Sequence, residues 1–172
     1  MVQADPLWKT AKELVEQTPE EIPYVVEELL IYGAITEFTA KIKAGKSTFV
    51  GAILRAIFSG EPIINLKTTR PKGVLYLTEE GEHTFTSLLN RVRLVEDRIH
   101  VLHRGKVSRL SWPDVVDTIV VPKAIATESD VIIVDTLSRW AKIRGDEENQ
   151  TGAAQAAMEP LERLRDAGMA VM

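Results

Sequence analysis

The chain has 172 residues, a length typical of one domain with its own hydrophobic core. Hydrophobic residues make up 45% and charged residues 27% of the sequence, which excludes a disordered or fibrous protein. The absence of cysteine excludes disulfides, cysteine-ligated zinc and thiol catalysis. The net charge of −4 argues against a surface that is basic all over. The apolar runs are too short for a membrane span and no secretory signal is visible, so we expect a cytoplasmic protein.

The hydrophobic pattern predicts helices and strands in alternation along the chain. Asp5 and Pro6 predict the start of a first helix, whose apolar side chains continue to Val15 at helical spacing. A short strand or an extended lead-in is predicted at 24–30. Apolar and β-branched runs then predict strands at 34–39, 74–78, 99–102, 131–134 and 169–172. Helices are predicted between them at 47–59, 84–94, 113–127 and 152–167, and Pro160 predicts a kink or a late start in the last one.

This alternation predicts the fold class. Apolar strands separated by helices indicate a parallel sheet that is covered on both faces and joined by right-handed crossovers. We therefore expect an α/β fold, a three-layer α-β-α sandwich with a mainly parallel central sheet. Residues 1–23 are expected to form a helical lead-in and residues 24–172 the core. Because the sequence stops inside an apolar run, we expect the C-terminal strands of that core to be missing.

The segment before the helix predicted at 47–59 fits a Walker A phosphate-binding loop, with alanine where the first glycine usually stands. In such a loop the N–H groups at a helix N-terminus surround a phosphate, because the helix dipole favours negative charge there. Lys46 is expected to reach the β- and γ-phosphates of ATP, and the Ser47 hydroxyl to bind Mg²⁺. The other interpretation is a lysine-rich surface turn. The predicted nucleotide-binding residues are Ala40, Lys41, Ile42, Lys43, Ala44, Gly45, Lys46, Ser47 and Thr48.

Two of the predicted strands end in carboxylates. Four aliphatic residues precede Asp135, which is the form of a Walker B motif and predicts a carboxylate that holds Mg²⁺ through water. A plain strand followed by a helix cap has the same pattern. Glu79 and Glu80 follow the strand at 74–78, where a carboxylate can deprotonate the water that attacks a γ-phosphate. The residue types alone do not distinguish these two glutamates, and a solvated acidic loop is the other interpretation.

These three elements, in this order, resemble the RecA-like P-loop ATPase core. The sequence is most similar to the RepA-like hexameric helicase group and to the AAA-type ATPase domain of phage and plasmid primase–helicase proteins. The resemblance covers residues 25–172 and includes the motif residues 43–47, 131–141 and 145–149. The resemblance selects Glu80 over Glu79 as the catalytic glutamate, and Lys46 is the second implied catalytic residue. It also implies a homo-hexamer with an arginine finger from a neighbouring subunit, and a γ-phosphate sensor that would follow Met172.

Single-stranded DNA is the partner that the resemblance implies. Trp112 and Trp140 could stack on bases, although buried positions are favoured for both. The predicted loop at 136–151, without regular structure, faces the central channel in that family and is the first candidate for strand contact. A second candidate is the segment 91–109, where six basic side chains outnumber Glu96 and Asp97, although an ordinary solvated face or a subunit contact has the same pattern. The six are Arg91, Arg93, Arg98, Arg104, Lys106 and Arg109.

Two other functions remain open on the residues alone. A RecA-like regulatory ATPase or kinase of the clock-protein type would bind ATP without moving along DNA. A small-molecule P-loop kinase is disfavoured, because no arginine-rich lid follows Asp135. His100 and His103 have no third ligand nearby in the sequence, so no metal site is predicted there.

Overall fold

The computed structural model describes residues 8–18, 21–41, 44–143 and 151–172. The strands are β1 (Tyr24–Val26), β2 (Leu30–Ile31), β3 (Val74–Thr78), β4 (Ile99–His103), β5 (Val131–Asp135) and β6 (Ala170–Val171). The helices are α1 (Ala11–Gln17), α2 (Lys46–Ser59), α3 (Glu82–Val92), α4 (Trp112–Val115), α5 (Val121–Thr127), α6 (Leu137–Trp140) and α7 (Thr151–Asp166). In these ranges, no helix has the length and apolar character that crossing a membrane requires.

The central sheet is parallel, with the strand order β4-β3-β5-β6. Strand β3 pairs with β4 on one side and with β5 on the other, so that Val74 lies between Ile99 and Val131. Every residue of β3 is buried, because helices cover both faces of the sheet. The predicted α/β fold with a parallel sheet between two helical layers is confirmed.

Alternate residues of β3 point to opposite faces of the sheet and join two separate hydrophobic clusters. Val74 and Tyr76 belong to the cluster that α2 and α3 cover, with Ile53, Leu54, Phe85 and Leu88. Leu75 and Leu77 belong to the cluster on the other face, with Val116, Val120, Leu161 and Leu164. The two clusters pack the sheet between the helical layers, so they also fix the positions at which β3 and β5 end.

The N-terminal half of the chain departs from the prediction in two places and extends it in a third. Helix α1 begins at Ala11, because Thr10 and Glu13 form a capping box there, and Asp5 and Pro6 lie outside the described residues. The short strand predicted within 24–30 is present as β1 and forms a hairpin with β2, with Val26 opposite Leu30. The strand predicted at 34–39 is reduced to a bridge between Ile35 and Val171.

Two hydrogen bonds join residues 34–36 to β6. The Thr36 N–H donates to the Val171 carbonyl at 2.7 Å, and the Val171 N–H donates to the Ala34 carbonyl at 3.0 Å. Residues 34–36 therefore lie beside β6 at the edge of the parallel sheet.

The C-terminal half follows the prediction more closely. The helix predicted at 113–127 is made of α4, a π-helical turn at Val116–Val120 and α5. Helix α7 continues through Pro160. The prediction that 136–151 lacks regular structure is wrong, because α6 follows β5 directly, and residues 144–150 lie outside the described ranges. Trp112 and Trp140 are buried, as favoured, with ring centroids 5.9 Å apart.

We expect Gly73→Ala to lower the free energy of unfolding by about 1–3 kcal/mol. A Cβ at this position would lie 2.7 Å from Ser129 Oγ, and backbone atoms of Ser129 and Arg98 lie within 3.4 Å of it. Gly105→Ala is the matched control, because no described atom lies within 4 Å of its added Cβ. Urea unfolding measures both variants, and equal stabilities would contradict this packing.

Candidate functional site

Helix α2 begins at Lys46 and is preceded by a glycine in the left-handed region. Gly45 has φ +88° and ψ 18°, a conformation that favours glycine over residues with a Cβ. Just before it, the Ala44 N–H donates to the Lys41 carbonyl at 3.0 Å and closes a turn. No side chain caps this helix among the described residues, so the N–H groups of its first turn can meet an anion.

Asp135, the last residue of β5, lies against the start of α2. Its Oδ2 accepts a hydrogen bond from Ser47 Oγ at 2.9 Å, and its Oδ1 lies 3.5 Å from Lys46 Nζ. Ser47 and Asp135 are 88 positions apart in the sequence. They meet because β6 pairs with β5 on one edge and with residues 34–36 on the other, and those residues lead into the loop. The fold therefore brings together three of the predicted site residues, Lys46, Ser47 and Asp135.

Tyr76 is a member of this cluster that the sequence analysis missed. Its hydroxyl donates to Asp135 Oδ2 at 3.0 Å from the neighbouring strand β3. Burial and the negative charge of Asp135 raise the pKa of Tyr76, so the phenol stays protonated and remains a donor. The sequence carries one sign of this role, because a tyrosine stands between Leu75 and Leu77 in an otherwise apolar part of β3.

Glu79 is engaged with the segment that follows β5. Its N–H donates to the Asp135 carbonyl at 3.0 Å, which continues the pairing of β3 with β5 beyond the strand ends. Its Oε2 forms an ion pair with Arg139 Nε at 3.1 Å, and its Oε1 lies 3.5 Å from Thr136 Oγ1. The carboxylate of Glu79 is therefore held beside α6.

Glu80 has a different environment from its neighbour. Its backbone is fixed on both sides, because its N–H donates to Thr78 Oγ1 at 3.1 Å and its carbonyl lies 2.9 Å from His103 Nδ1. Burial raises the pKa of the Glu80 carboxyl, and the charges of Asp135 and Glu79 raise it further. Glu80 is thus a stronger base than an exposed glutamate, and it lies close enough to Asp135 to respond to its charge.

A cavity of about 580 Å³ opens beside Lys46 and Asp135, within the size range of small-molecule sites, and Glu79 and Glu80 are not part of its wall. Its wall includes Ala40 and Lys46 from the loop side and Asp135 and Thr136 from the end of β5. The rest of the wall is mainly apolar. Ligands of open α/β sheets bind at this carboxyl edge of the strands, so the cavity lies where the fold class expects a substrate.

The donors around Asp135 fit a magnesium ion. A serine hydroxyl and a carboxylate are hard oxygen ligands, and Mg²⁺ usually takes its remaining ligands from water and from substrate phosphates. Among the described residues, no three side chains of His, Cys, Asp or Glu are grouped as a metal cluster. Mg²⁺ requires no such group, so Ser47 and Asp135 are the residues that would hold it. Ile42 and Lys43, predicted to bind the nucleotide, lie outside the described residues.

The basic segment 91–109 offers less free positive charge than its sequence suggests. Arg98 donates to both carboxylate oxygens of Glu96, at 2.8 and 2.9 Å. Lys106 Nζ lies 3.1 Å from Glu82 Oε1. A nucleic-acid backbone would therefore have to compete with acidic partners along this segment. The basic side chains here that contact another described residue are Arg91, Arg98, Arg104 and Lys106.

The chain matches the family model of the AAA domain over residues 3–172, and it belongs to that family. It is therefore a P-loop ATPase-type domain that binds a nucleotide, which confirms the predicted family at this level. A comparison with curated proteins finds no match to the chain.

We expect Lys46→Ala to weaken ATP binding about 10- to 150-fold. The loop then loses a charge-assisted contact of about 1.5–3 kcal/mol to the phosphates and keeps only its backbone N–H groups. Lys72→Ala is the control, because Lys72 lies at the opposite end of β3, where its N–H meets Asp130. Nucleotide titration compares the two variants with the native chain, and an unchanged dissociation constant for Lys46→Ala would contradict the assignment of the loop.

Proposed function

We propose that this chain binds and hydrolyses ATP with Mg²⁺, as the motor domain of a RepA-like helicase or primase-associated ATPase. In this proposal it works on single-stranded DNA as a homo-hexamer. The observation that carries the ATPase part is the meeting of Lys46, Ser47 and Asp135 beside the cavity at the carboxyl edge of the sheet. Membership of the AAA domain family supports the same part. The likeness of residues 131–141 to the RepA-like group supports the motor part.

Each side chain takes a role that its chemistry allows. The N–H groups at the start of α2 and the Lys46 ammonium neutralise phosphate charge. Ser47 and Asp135 hold Mg²⁺, which when bound withdraws negative charge from the phosphates. Glu80 accepts a proton from the attacking water, and its raised pKa strengthens it for that step.

We expect Glu80→Gln to bind ATP with native affinity while hydrolysis falls about 10²- to 10⁴-fold. The amide keeps the size of the side chain but cannot accept the proton of the attacking water. The matched variant Glu79→Gln loses its ion pair with Arg139 and should still hydrolyse ATP. Phosphate release and nucleotide titration measure both variants.

The two glutamate variants also give clear negative outcomes. If Glu79→Gln binds without hydrolysing and Glu80→Gln remains active, the assigned base is off by one residue. If both variants remain active, water activation lies elsewhere and the proposed mechanism is wrong.

The segment after β5 provides a physical connection between the site and a bound strand. Arg139, on α6, is three-quarters exposed while its Nε holds Glu79 at 3.1 Å. Lys142, just after α6, is also exposed. Phosphates that approach this segment would compete with Glu79 for Arg139. The proposal therefore predicts that a bound strand changes the contacts at the end of β3 and, through them, ATP turnover.

We expect single-stranded DNA to raise ATP hydrolysis severalfold, and the effect to weaken with added salt because phosphate contacts release counterions. Duplex DNA at equal nucleotide concentration is the control. ATP turnover is measured against oligonucleotide concentration, and light scattering with nucleotide present reports whether hexamers form. Turnover that does not depend on DNA would contradict the motor part of the proposal and favour a regulatory ATPase.

A further inference from the structure

Tyr76 is a fully buried tyrosine whose hydroxyl meets the carboxylate of the site. It lies in the middle of β3, opposite Ile133 of β5, and its ring packs on Phe85 with centroids 4.8 Å apart. A phenylalanine would fill the same apolar space and make the same ring contacts. The hydroxyl is the part of this side chain that packing does not require, and it donates to Asp135 Oδ2 at 3.0 Å.

The partners of the Asp135 side chain divide into two kinds. Ser47 Oγ, 2.9 Å from Oδ2, and Lys46 Nζ, 3.5 Å from Oδ1, both belong to the loop that faces the phosphates. Under the proposed function these two groups turn toward the nucleotide and its metal when ATP binds. Tyr76 lies beneath the carboxylate in the layer between the sheet and α2, so it has no phosphate to turn to. Its hydrogen bond can persist in both states.

We propose that Tyr76 is a positioning residue that fixes the orientation of the Asp135 carboxylate toward Mg²⁺. The inference rests on the proposed function and adds to it a residue that contacts neither nucleotide nor metal. Tyr76 holds Oδ2 from below, while Ser47 approaches the same oxygen and Lys46 approaches Oδ1 from the loop side. Partners that orient a directly ligating group commonly change metal affinity about 10- to 100-fold when they are removed, and because Asp135 is expected to hold Mg²⁺ through water we expect the lower end of this range.

A purely structural role for the hydroxyl makes a different prediction. If the bond only satisfies a buried phenol, its removal changes the free energy of unfolding and leaves the magnesium dependence of nucleotide binding unchanged. The fold contains a matched case for comparison at the other end of β5. The Tyr32 hydroxyl lies 3.4 Å from Asp130 Oδ2, next to the first residue of that strand and away from the loop.

The experiment compares Tyr76→Phe with Tyr32→Phe in the whole chain. A fluorescent, non-hydrolysable ATP analogue is titrated in EDTA and then at increasing Mg²⁺ concentration, and urea unfolding is measured on both variants. We expect Tyr76→Phe to bind the metal-free analogue as the native chain does and to need about 10-fold more Mg²⁺ for tight binding. Tyr32→Phe should keep the native magnesium dependence.

A double-mutant cycle with Asp135→Asn provides a second measurement. If Tyr76 acts through Asp135, Tyr76→Phe adds no further magnesium defect in the Asp135→Asn background. The double-mutant cycle tests the positioning role even if Tyr76→Phe is strongly destabilised. It compares the magnesium dependence of nucleotide binding in Asp135→Asn with that in the double variant.

The outcomes separate this inference from the function on which it rests. A native magnesium dependence in Tyr76→Phe, or additive defects in the double variant, would overturn the positioning role while ATP binding by the native chain still supports the ATPase. A native chain that binds no nucleotide would overturn the proposed function, and the role of Tyr76 with it.

Discussion

A buried negative charge at the end of the central strand β5 sets the conditions for the site. Asp135 is 7% exposed, and a carboxylate removed from water to this degree is costly unless it is hydrogen-bonded and paired. Its partners come from two other elements, Lys46 and Ser47 from the start of α2 and Tyr76 from β3. A shift of either element would remove part of these partners from the charge, so the packing of the fold and the electrostatics of the site stabilise each other.

The parallel register of β3 and β5 places the polar side chains at the ends of these strands on the same edge of the sheet. Thr78 pairs with Asp135 at the ends of β3 and β5, and the Glu79 N–H extends this pairing by one step. Because both strands are largely buried on both faces, a slip by one residue would exchange the two hydrophobic faces and is strongly disfavoured. The apolar side chains therefore determine where the polar ones lie.

Glu79 and Glu80 illustrate how the fold gives different environments to identical groups. They are adjacent in the chain, yet one carboxylate is held by Arg139 and the other is partly withdrawn from water beside Asp135. The first arrangement connects the end of β3 to α6, and the second produces a carboxyl group with a raised pKa. Pairs of acids in separate environments are a common basis for dividing roles in catalysis.

The features that depend on neighbouring residues could be predicted from the sequence. The aliphatic run before Asp135 and the helical spacing after Lys46 are local patterns, and they predicted β5 and α2 correctly. The strand predicted at 34–39 is present only as the bridge between Ile35 and Val171, because strand formation also depends on pairing that the local pattern does not contain. Helix α6 was missed because its turn is supported by the burial of Trp140, which is a tertiary contact.

The contacts that distinguish one side chain from another were decided only in three dimensions. Tyr76 and Asp135 are 59 positions apart, and no periodicity connects them. The ion pair of Glu79 with Arg139 and the pairing of Arg98 with Glu96 likewise depend on the directions that the folded backbone gives to side chains. Hydrophobic periodicity records which face of an element is buried, since burial is favourable almost regardless of the neighbour. A hydrogen bond requires two particular atoms about 3 Å apart, and only the packed structure sets that distance.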